Sequence, residues 1–303
     1  MCNINALFCN KEIEGQVMDV VSFMQSVSAV SYLSNKDGDG FFTNDETIVT
    51  SKTKVNYLKN FGDIKKAKYV ISHQRISTCG FTHRNTQPIG MDRYIIVHNG
   101  IFSDYSGMNK GKEDKSDTRM FLEELENHPS KDPEIAIKEV LNLQSGFYSV
   151  FLYDKVTKRI FYCRNPYADI FAYEYVTDDN SYIFVTTKED NKLFLELLGE
   201  GTCSEMELQP LDLCEVCYIE DCVFIYKIDE LKVVEDDIEY TKALPTYNPN
   251  FDESAEYDSG IPEFNNNFNE YIGDLEEYWL DEEDKQPKKK DRGLQLLFGD
   301  YKK

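Results

Sequence analysis

Gly146-Phe-Tyr-Ser-Val-Phe-Leu-Tyr-Asp154 is followed, after a short polar gap, by Arg159-Ile-Phe-Tyr-Cys-Arg164. Both segments are rich in aromatic and β-branched side chains, and the gap between them predicts an antiparallel pair of buried strands. Segments of the same kind occur at residues 2–8, 41–42, 47–50, 69–72, 94–97, 170–176, 182–186, 205–218 and 223–228.

Helical patterns separate these groups of strands. Apolar residues recur at helical spacing over residues 17–30, and the turn-rich residues 35–40 end that pattern. Ser116-Asp-Thr118 offers polar side chains that suit the first turn of a second helix, and further helices are predicted at 133–143 and 193–198. Hairpins with helices between them predict an α+β layered fold.

Composition excludes several classes of protein. The 303 residues are 41% apolar, which is enough for a sizeable core, and the net charge of −22 disfavours nucleic-acid binding. No window reaches the ~20 apolar residues of a membrane span, and the N-terminus lacks the pattern of a secretory signal. We therefore expect a cytoplasmic protein with reduced cysteines and no membrane partner.

The charge is concentrated near the C-terminus. Residues 235–284 contain 17 acidic side chains and one basic one, Lys242. Such a segment predicts a disordered acidic tail over residues 234–303, after a folded domain over residues 1–233. Two apolar islands, around Trp279 and at residues 294–298, fit either docking to a partner or packing on the chain's own body.

The pair Met1-Cys2 suggests a nucleophile. Removal of Met1 would leave a cysteine that carries both its thiol and a free α-amine, with ordinary pKa values near ~8.5 and ~8. Such an amine can act as the base for the nucleophile beside it. The alternative is that Cys2 is simply a small buried residue at the start of a strand.

Further motifs occur in an informative order: Ser72-His-Gln-Arg-Ile-Ser-Thr78, Thr86-Gln-Pro-Ile89, Val97-His-Asn-Gly-Ile101, Lys115-Ser-Asp-Thr118 and Arg164-Asn165. Together with Cys2 and residues 146–154 they resemble the glutaminase domain of class II (N-terminal nucleophile) glutamine amidotransferases. The resemblance covers residues 2–230 and is greatest to asparagine synthetase and glutamine phosphoribosylpyrophosphate amidotransferase. It implies a four-layer αββα N-terminal nucleophile hydrolase sandwich with Cys2 at the end of a central strand.

The resemblance also implies the roles of the site residues. Cys2 is the expected nucleophile, while the Asn99 side-chain amide and the Gly100 N–H are the expected donors to the oxyanion. Arg75 and Asp117 are expected to bind the α-carboxylate and the α-ammonium group of glutamine. Each has a structural alternative, a plain ion pair for Arg75 and a helix N-cap for Asp117.

The resemblance extends to one more binding residue and a loop. Gln87 is expected to bind substrate, and residues 76–87 correspond to a loop that closes over bound glutamine. Ile76 and Arg119 depart from the family pattern, in which an aromatic or small residue and an acidic residue stand at these positions. These departures bear on the loop and on substrate fit rather than on the nucleophile.

Neither a metal nor a cofactor is predicted. The four histidines show no ligand pair at helical spacing, and Cys214, Cys217 and Cys222 lack a fourth ligand, which favours buried core thiols. His98 is expected to pack rather than to react. Penicillin and bile-salt acylases also begin with Met-Cys, but they place an arginine and an aspartate about 16 to 20 residues later. Residues 17–20 contain no arginine, which disfavours that family.

The sequence therefore predicts a glutaminase subunit that hydrolyses the side-chain amide of L-glutamine. Residues 231–303 are too few and too polar for an acceptor domain, so we expect the ammonia to pass to a separate synthetase or transferase chain. Two alternatives remain open. One is a stand-alone hydrolase of γ-glutamyl amides, and the other is a catalytically silent binding scaffold.

Overall fold

A computed structural model of the chain describes residues 2–77, 83–105 and 115–232. The predicted tail, with Trp279 and residues 294–298, lies outside the described residues. So do Met1 and residues 78–82, the middle of the predicted closing loop.

The first of two antiparallel sheets has seven strands in the order β11-β9-β10-β1-β4-β2-β3. Its strands are β1 (Asn3–Cys9), β2 (Gly38–Thr43), β3 (Ile48–Ser51), β4 (Tyr69–Arg75), β9 (Phe171–Thr177), β10 (Ser181–Thr186) and β11 (Gly201–Met206). Strand β1 lies at the centre of this sheet, between β10 and β4.

The second sheet has six strands in the order β13-β12-β8-β7-β6-β5. Its strands are β5 (Ile89–Gly90), β6 (Tyr94–Phe102), β7 (Gly146–Asp154), β8 (Arg159–Arg164), β12 (Asp212–Ile219) and β13 (Cys222–Glu230). The long pairing of β6 with β7, from Tyr94↔Asp154 to Phe102↔Gly146, forms the middle of this sheet.

Helices cover the outer face of each sheet. The α-helices are α1 (Val17–Ser34), α2 (Phe61–Lys65), α3 (Asp117–Glu126) and α4 (Pro133–Leu141). Five 3-10 helices lie at Ile13–Gln16, Leu58–Asn60, His83–Asn85, Ser103–Tyr105 and Glu189–Leu198. Across the described residues, none of the helices is both long and apolar enough to cross a membrane.

Alternation along the strands builds three apolar layers. On β1, Ile4, Ala6 and Phe8 face the core between the two sheets, whereas Leu7 and Cys9 pack with α1. A third cluster joins the outer face of β6 and β7 to α3 and α4. The layer order is therefore helix, sheet, sheet, helix, and the predicted αββα sandwich is confirmed.

Several strand boundaries that were predicted from the sequence are wrong. Residues 205–218 do not form one strand, since β11 and β12 belong to different sheets and are separated by a turn that holds Leu211 at a φ of 66°. The predicted strands 69–72 and 94–97 both continue, to Arg75 and Phe102. Strand β2 begins at Gly38, inside the segment that was expected to be a turn.

Candidate functional site

Cys2 stands immediately before β1, at the end of the space between the sheets. Ile4 and Ala6 face that space, so alternation directs the Cys2 side chain toward it as well. The half-buried thiol lies 3.4 Å from the carbonyl oxygen of Ile76 and accepts from the Ile76 N–H at 3.5 Å. Burial raises the pKa of the Cys2 thiol, while the Ile76 hydrogen bond opposes the shift.

Arg75 is the neighbour of Cys2 across the sheet. Asn3 pairs with Gln74, so continuing the register by one residue sets Arg75 beside Cys2. Ile71 faces the core between the sheets, so Arg75 shares that face. The guanidinium is buried, and its charge lowers the pKa of the Cys2 thiol, although burial of the thiol outweighs it. A buried cation therefore acts directly on the predicted nucleophile.

Asn99 and Gly100 lie on β6, which faces β1 and β4 across the core between the sheets. Val97 belongs to that core, so the Asn99 side chain points toward the first sheet. Asn99 is buried, and no described residue donates to its side-chain oxygen. A polar side chain of β6 therefore lies buried on the face that is turned toward the first sheet.

Only glycine fits at position 100. Its φ is +138°, a conformation that residues with a side chain rarely adopt. A Cβ built there would stand 2.0 Å from the carbonyl oxygen of Phe147 and 2.7 Å from Cα of Tyr148. The close approach of β6 to β7 therefore explains why position 100 is a glycine, independently of any catalytic role.

Asp117 is the first residue of α3 and contacts the end of β6. Its Oδ2 accepts from the N–H of Phe102 at 2.9 Å, and its Oδ1 accepts from the N–H of Thr118 at 2.8 Å. Ser116 caps the helix instead, since its hydroxyl accepts from the Arg119 N–H. The helix-cap alternative is therefore wrong for Asp117. Its charge raises the pKa of the Cys2 thiol in addition to the larger effect of burial.

Both polar atoms of the Gln87 side chain form hydrogen bonds within the protein. Its Oε1 accepts from the backbone N–H of His98 at 2.6 Å, and its Nε2 donates to the Thr118 hydroxyl at 3.3 Å. The side chain is buried and lies against β6, beside the predicted oxyanion donors. A direct contact with substrate remains a prediction, whereas the contact with β6 is what the structure shows.

Two residues near the site were not predicted to belong to it. His73 lies two residues before Arg75 on the same face of β4, and its Nε2 is 3.1 Å from the carbonyl oxygen of His98. Thr118 joins Gln87 to the ring of His98, whose Nδ1 is 2.9 Å from the threonine hydroxyl. The position of His73 on the same face as Arg75 could have been predicted from their spacing of two residues, because alternate residues of a strand share a face.

The remaining predictions about histidine and cysteine have mixed outcomes. His98 packs as expected, with its ring stacked on Phe102 at 4.2 Å. Cys214 is buried, but Cys217 is only half-buried and Cys222 is exposed, so the expectation of three core thiols is wrong. They lie on the hairpin β12–β13 at the edge of the second sheet. No cluster of three possible metal ligands occurs among the residues that the structure describes.

The chain is similar in structure to glutamine phosphoribosylpyrophosphate amidotransferase from B. subtilis complexed with ADP and GMP. The TM-score is 0.50 at 15% sequence identity, over 76% of this chain and 50% of that one. A second solved structure, an allosteric regulatory enzyme of purine biosynthesis, gives a TM-score of 0.53 at 16% identity, over 75% of this chain and 49% of that one. No protein-family model and no curated protein matches the chain.

These likenesses confirm the predicted resemblance to class II glutamine amidotransferases at the level of the fold. The chain spans about half the length of these two proteins. At such low identity the comparison establishes the architecture, so the chemistry of the site has to be argued from this chain's own residues.

Proposed function

We propose that the chain is a glutaminase of the class II glutamine amidotransferase type, with Cys2 as its nucleophile. The thiolate attacks the side-chain amide carbon of glutamine, the C–N bond breaks, and ammonia leaves behind a γ-glutamyl thioester. Water then hydrolyses the thioester to glutamate and restores the thiol. The α-amine that Met1 removal exposes takes the thiol proton and returns it to the leaving nitrogen, directly or through a water.

The pair of opposite charges around one thiol carries this proposal. Glutamine is a zwitterion, and its site needs a fixed cation and a fixed anion close to the nucleophile. Arg75 and Asp117 are both buried; the register of β1 and β4 sets Arg75 beside Cys2, and Asp117 accepts from the Phe102 N–H, two residues beyond Gly100 on β6. The planar guanidinium suits the α-carboxylate, and the Asp117 carboxylate suits the α-ammonium group.

The oxyanion of the tetrahedral intermediate needs neutral donors that are fixed in advance. We assign this role to the Asn99 side-chain amide and the Gly100 N–H, which are neighbours on β6, with Asn99 on the face that is turned toward the first sheet. A pair of such donors typically supplies about 3 to 4 kcal/mol each to the stabilisation of the transition state. Asparagine can donate without titrating, so this contribution would hold across the pH range of activity.

Ammonia from this reaction would be consumed elsewhere. We propose that a separate synthetase or transferase chain is the acceptor. The segment around Trp279 and residues 294–298 are the proposed contacts with that chain.

The test is release of ammonia from L-glutamine by the purified full chain, with intact mass measured to show whether Met1 has been removed. Cys2→Ala should abolish the release and also covalent labelling by diazo-oxo-norleucine. Cys222→Ala, which removes an exposed thiol far along the chain, should change neither. Activity that persists in Cys2→Ala would exclude the mechanism. Cleavage of a γ-glutamyl conjugate far faster than of glutamine would favour a stand-alone γ-glutamyl amide hydrolase.

A further inference from the structure

Strand β6 has a free edge beside the proposed oxyanion donors. Its neighbour on that side, β5, contains only two residues, which pair with Ile96 and Ile95. Strand β6 continues to Phe102, and none of the described strands pairs with it on that side beyond Ile96. The backbone groups of residues 97–102 that point to this edge must therefore find other partners, or remain buried without one.

The direction of each backbone group follows from the pairing. Alternate residues of an antiparallel strand direct their N–H and C=O groups to the same side. The Met91 N–H donates to the carbonyl oxygen of Tyr94 at 2.9 Å, which assigns the even-numbered residues of β6 to the free edge. Tyr148, which pairs with Gly100, directs both of its backbone groups to Asn165 instead. Its N–H donates to Asn165 Oδ1 at 3.1 Å, and its carbonyl oxygen accepts from the Asn165 N–H at 3.0 Å. The Gly100 N–H therefore points away from β7.

Side chains replace the missing strand along this edge. The His98 N–H donates to Gln87 Oε1 at 2.6 Å, and the His98 carbonyl oxygen lies 3.1 Å from His73 Nε2. The Phe102 N–H donates to Asp117 at 2.9 Å. Between them, the Gly100 N–H meets no accepting side chain in the described part of the protein. The N–H groups of His98 and Phe102, on either side of Gly100 along this edge, therefore donate to side chains, whereas the Gly100 N–H does not donate to any described side chain.

We propose that Gln87 and His73 are positioning residues that hold the His98 backbone in place of a strand and so fix where the Asn99 amide and the Gly100 N–H point. The catalytic consequence rests on the proposed function, whereas the structural role does not. Neither side chain is assigned a contact with the reacting atoms.

His73 adds a constraint that Gln87 cannot supply, because it comes from the other sheet. A carbonyl oxygen only accepts, so His73 Nε2 carries the proton and Nδ1 does not, as a neutral buried imidazole allows. The hydrogen bond therefore ties β6 to β4, the strand that ends in Arg75. It sets the separation between the strand that bears the oxyanion donors and the strands that bear the thiol and the guanidinium.

Three variants of the full chain test this role. Gln87→Leu removes the acceptor for the His98 N–H, and His73→Leu removes the donor to the His98 carbonyl oxygen. His73→Gln keeps a terminal N–H at a similar distance from the backbone and should restore the contact. Gln144→Leu is the matched control, because it removes a buried glutamine that bonds to Tyr105 and Val140 rather than to β6.

The first readout is hydrogen exchange of the backbone amides of residues 94–102, which requires no enzymatic activity. We expect the His98 amide to exchange at least about tenfold faster in Gln87→Leu, because the partner of a buried N–H is lost. Exchange in Gln144→Leu should match the wild type once global stability is taken into account. Unchanged exchange at His98 in Gln87→Leu would overturn the proposal.

The second readout compares two reagents at Cys2. Diazo-oxo-norleucine has a carbonyl that needs the oxyanion donors, whereas iodoacetamide reports only the thiol. We expect the ratio of the two rates to fall by about 10- to 100-fold in Gln87→Leu and His73→Leu, as for a small misplacement of a catalytic group, and to recover in His73→Gln. A ratio that stays constant in both leucine variants would overturn the positioning role while leaving the glutaminase proposal intact. A wild-type chain that reacts with neither glutamine nor diazo-oxo-norleucine would instead defeat the glutaminase proposal, and the exchange experiment would still decide the positioning role.

Discussion

Replacing Gly100 with alanine should destabilise the folded domain because β6 and β7 approach closely at that point. The added Cβ would meet the Phe147 carbonyl oxygen at 2.0 Å, where an ordinary contact begins near 3.4 Å, so the two strands would have to part by 1.4 Å. Separating packed backbone in this way costs about 1 to 3 kcal/mol. The φ of +138° adds strain of the order of 1 to 3 kcal/mol for a residue with a side chain.

Together these effects predict a loss of about 2 to 6 kcal/mol in the free energy of unfolding. For a domain of this size the melting temperature should fall by roughly 4 to 24 °C, which scanning calorimetry can measure. Gly62→Ala is the control, because a Cβ at that position in α2 meets nothing within 4 Å. It should raise stability by about 0.5 to 1 kcal/mol, as expected for alanine in place of glycine in a helix. Equal melting temperatures for the wild type and Gly100→Ala would refute the steric reasoning.

Two further predictions concern buried carboxylates. Asp154→Ala should cost about 3 to 5 kcal/mol in urea unfolding, because the Arg93 guanidinium keeps its hydrogen bond to the Lys131 carbonyl oxygen but loses the carboxylate that accepts from it at 2.8 and 3.1 Å. Glu14→Ala, which removes an exposed ion pair, should cost at most about 1 kcal/mol, and equal losses would contradict this distinction. Burial raises the pKa of the Asp39 carboxyl to about 6. Between about pH 4 and pH 6 the folded state therefore binds a proton that the unfolded chain has released. This contribution to the free energy of unfolding is lost as the pH rises through 6. The unfolding free energy of the wild type minus that of Asp39→Asn should therefore fall by roughly 2 to 3 kcal/mol between pH 4 and pH 7.5, and a difference that does not vary with pH would contradict the assignment.

Much of the fold could be predicted from apolar patterning. The α1 helix begins at Val17 as predicted, and β8 has the predicted bounds Arg159–Arg164. The assignment of strands to sheets could not be predicted in the same way. Strands β11 and β12 read as one apolar segment, and only the tertiary pairing of β11 with β9 and of β12 with β8 separates them.

The site residues came from motifs rather than from patterning. Cys2 and Asn99 are almost one hundred residues apart in the sequence, and nothing in local propensity brings them together. The sandwich places their strands opposite each other, because β1 and β6 are inner strands of two sheets that face each other. The contact of Gln87 with the His98 backbone was beyond prediction, since it depends on β5 beginning only at Ile89, after Gln87.

Patterning failed at the positions where the proposed site begins, and one physical cause explains both failures. The strand predictions stopped at residues 72 and 97 because polar residues follow, yet β4 continues through Arg75 and β6 through Phe102. A polar residue can remain in a buried strand only if its hydrogen bonds are satisfied. His73 faces the core between the sheets and bonds to the backbone of the facing sheet, and Gln74, on the opposite face of β4, donates to Asp39 at 2.9 Å. The core between the sheets is therefore polar at His73, next to the proposed site, and a buried strand that extends beyond its apolar pattern points to such a place.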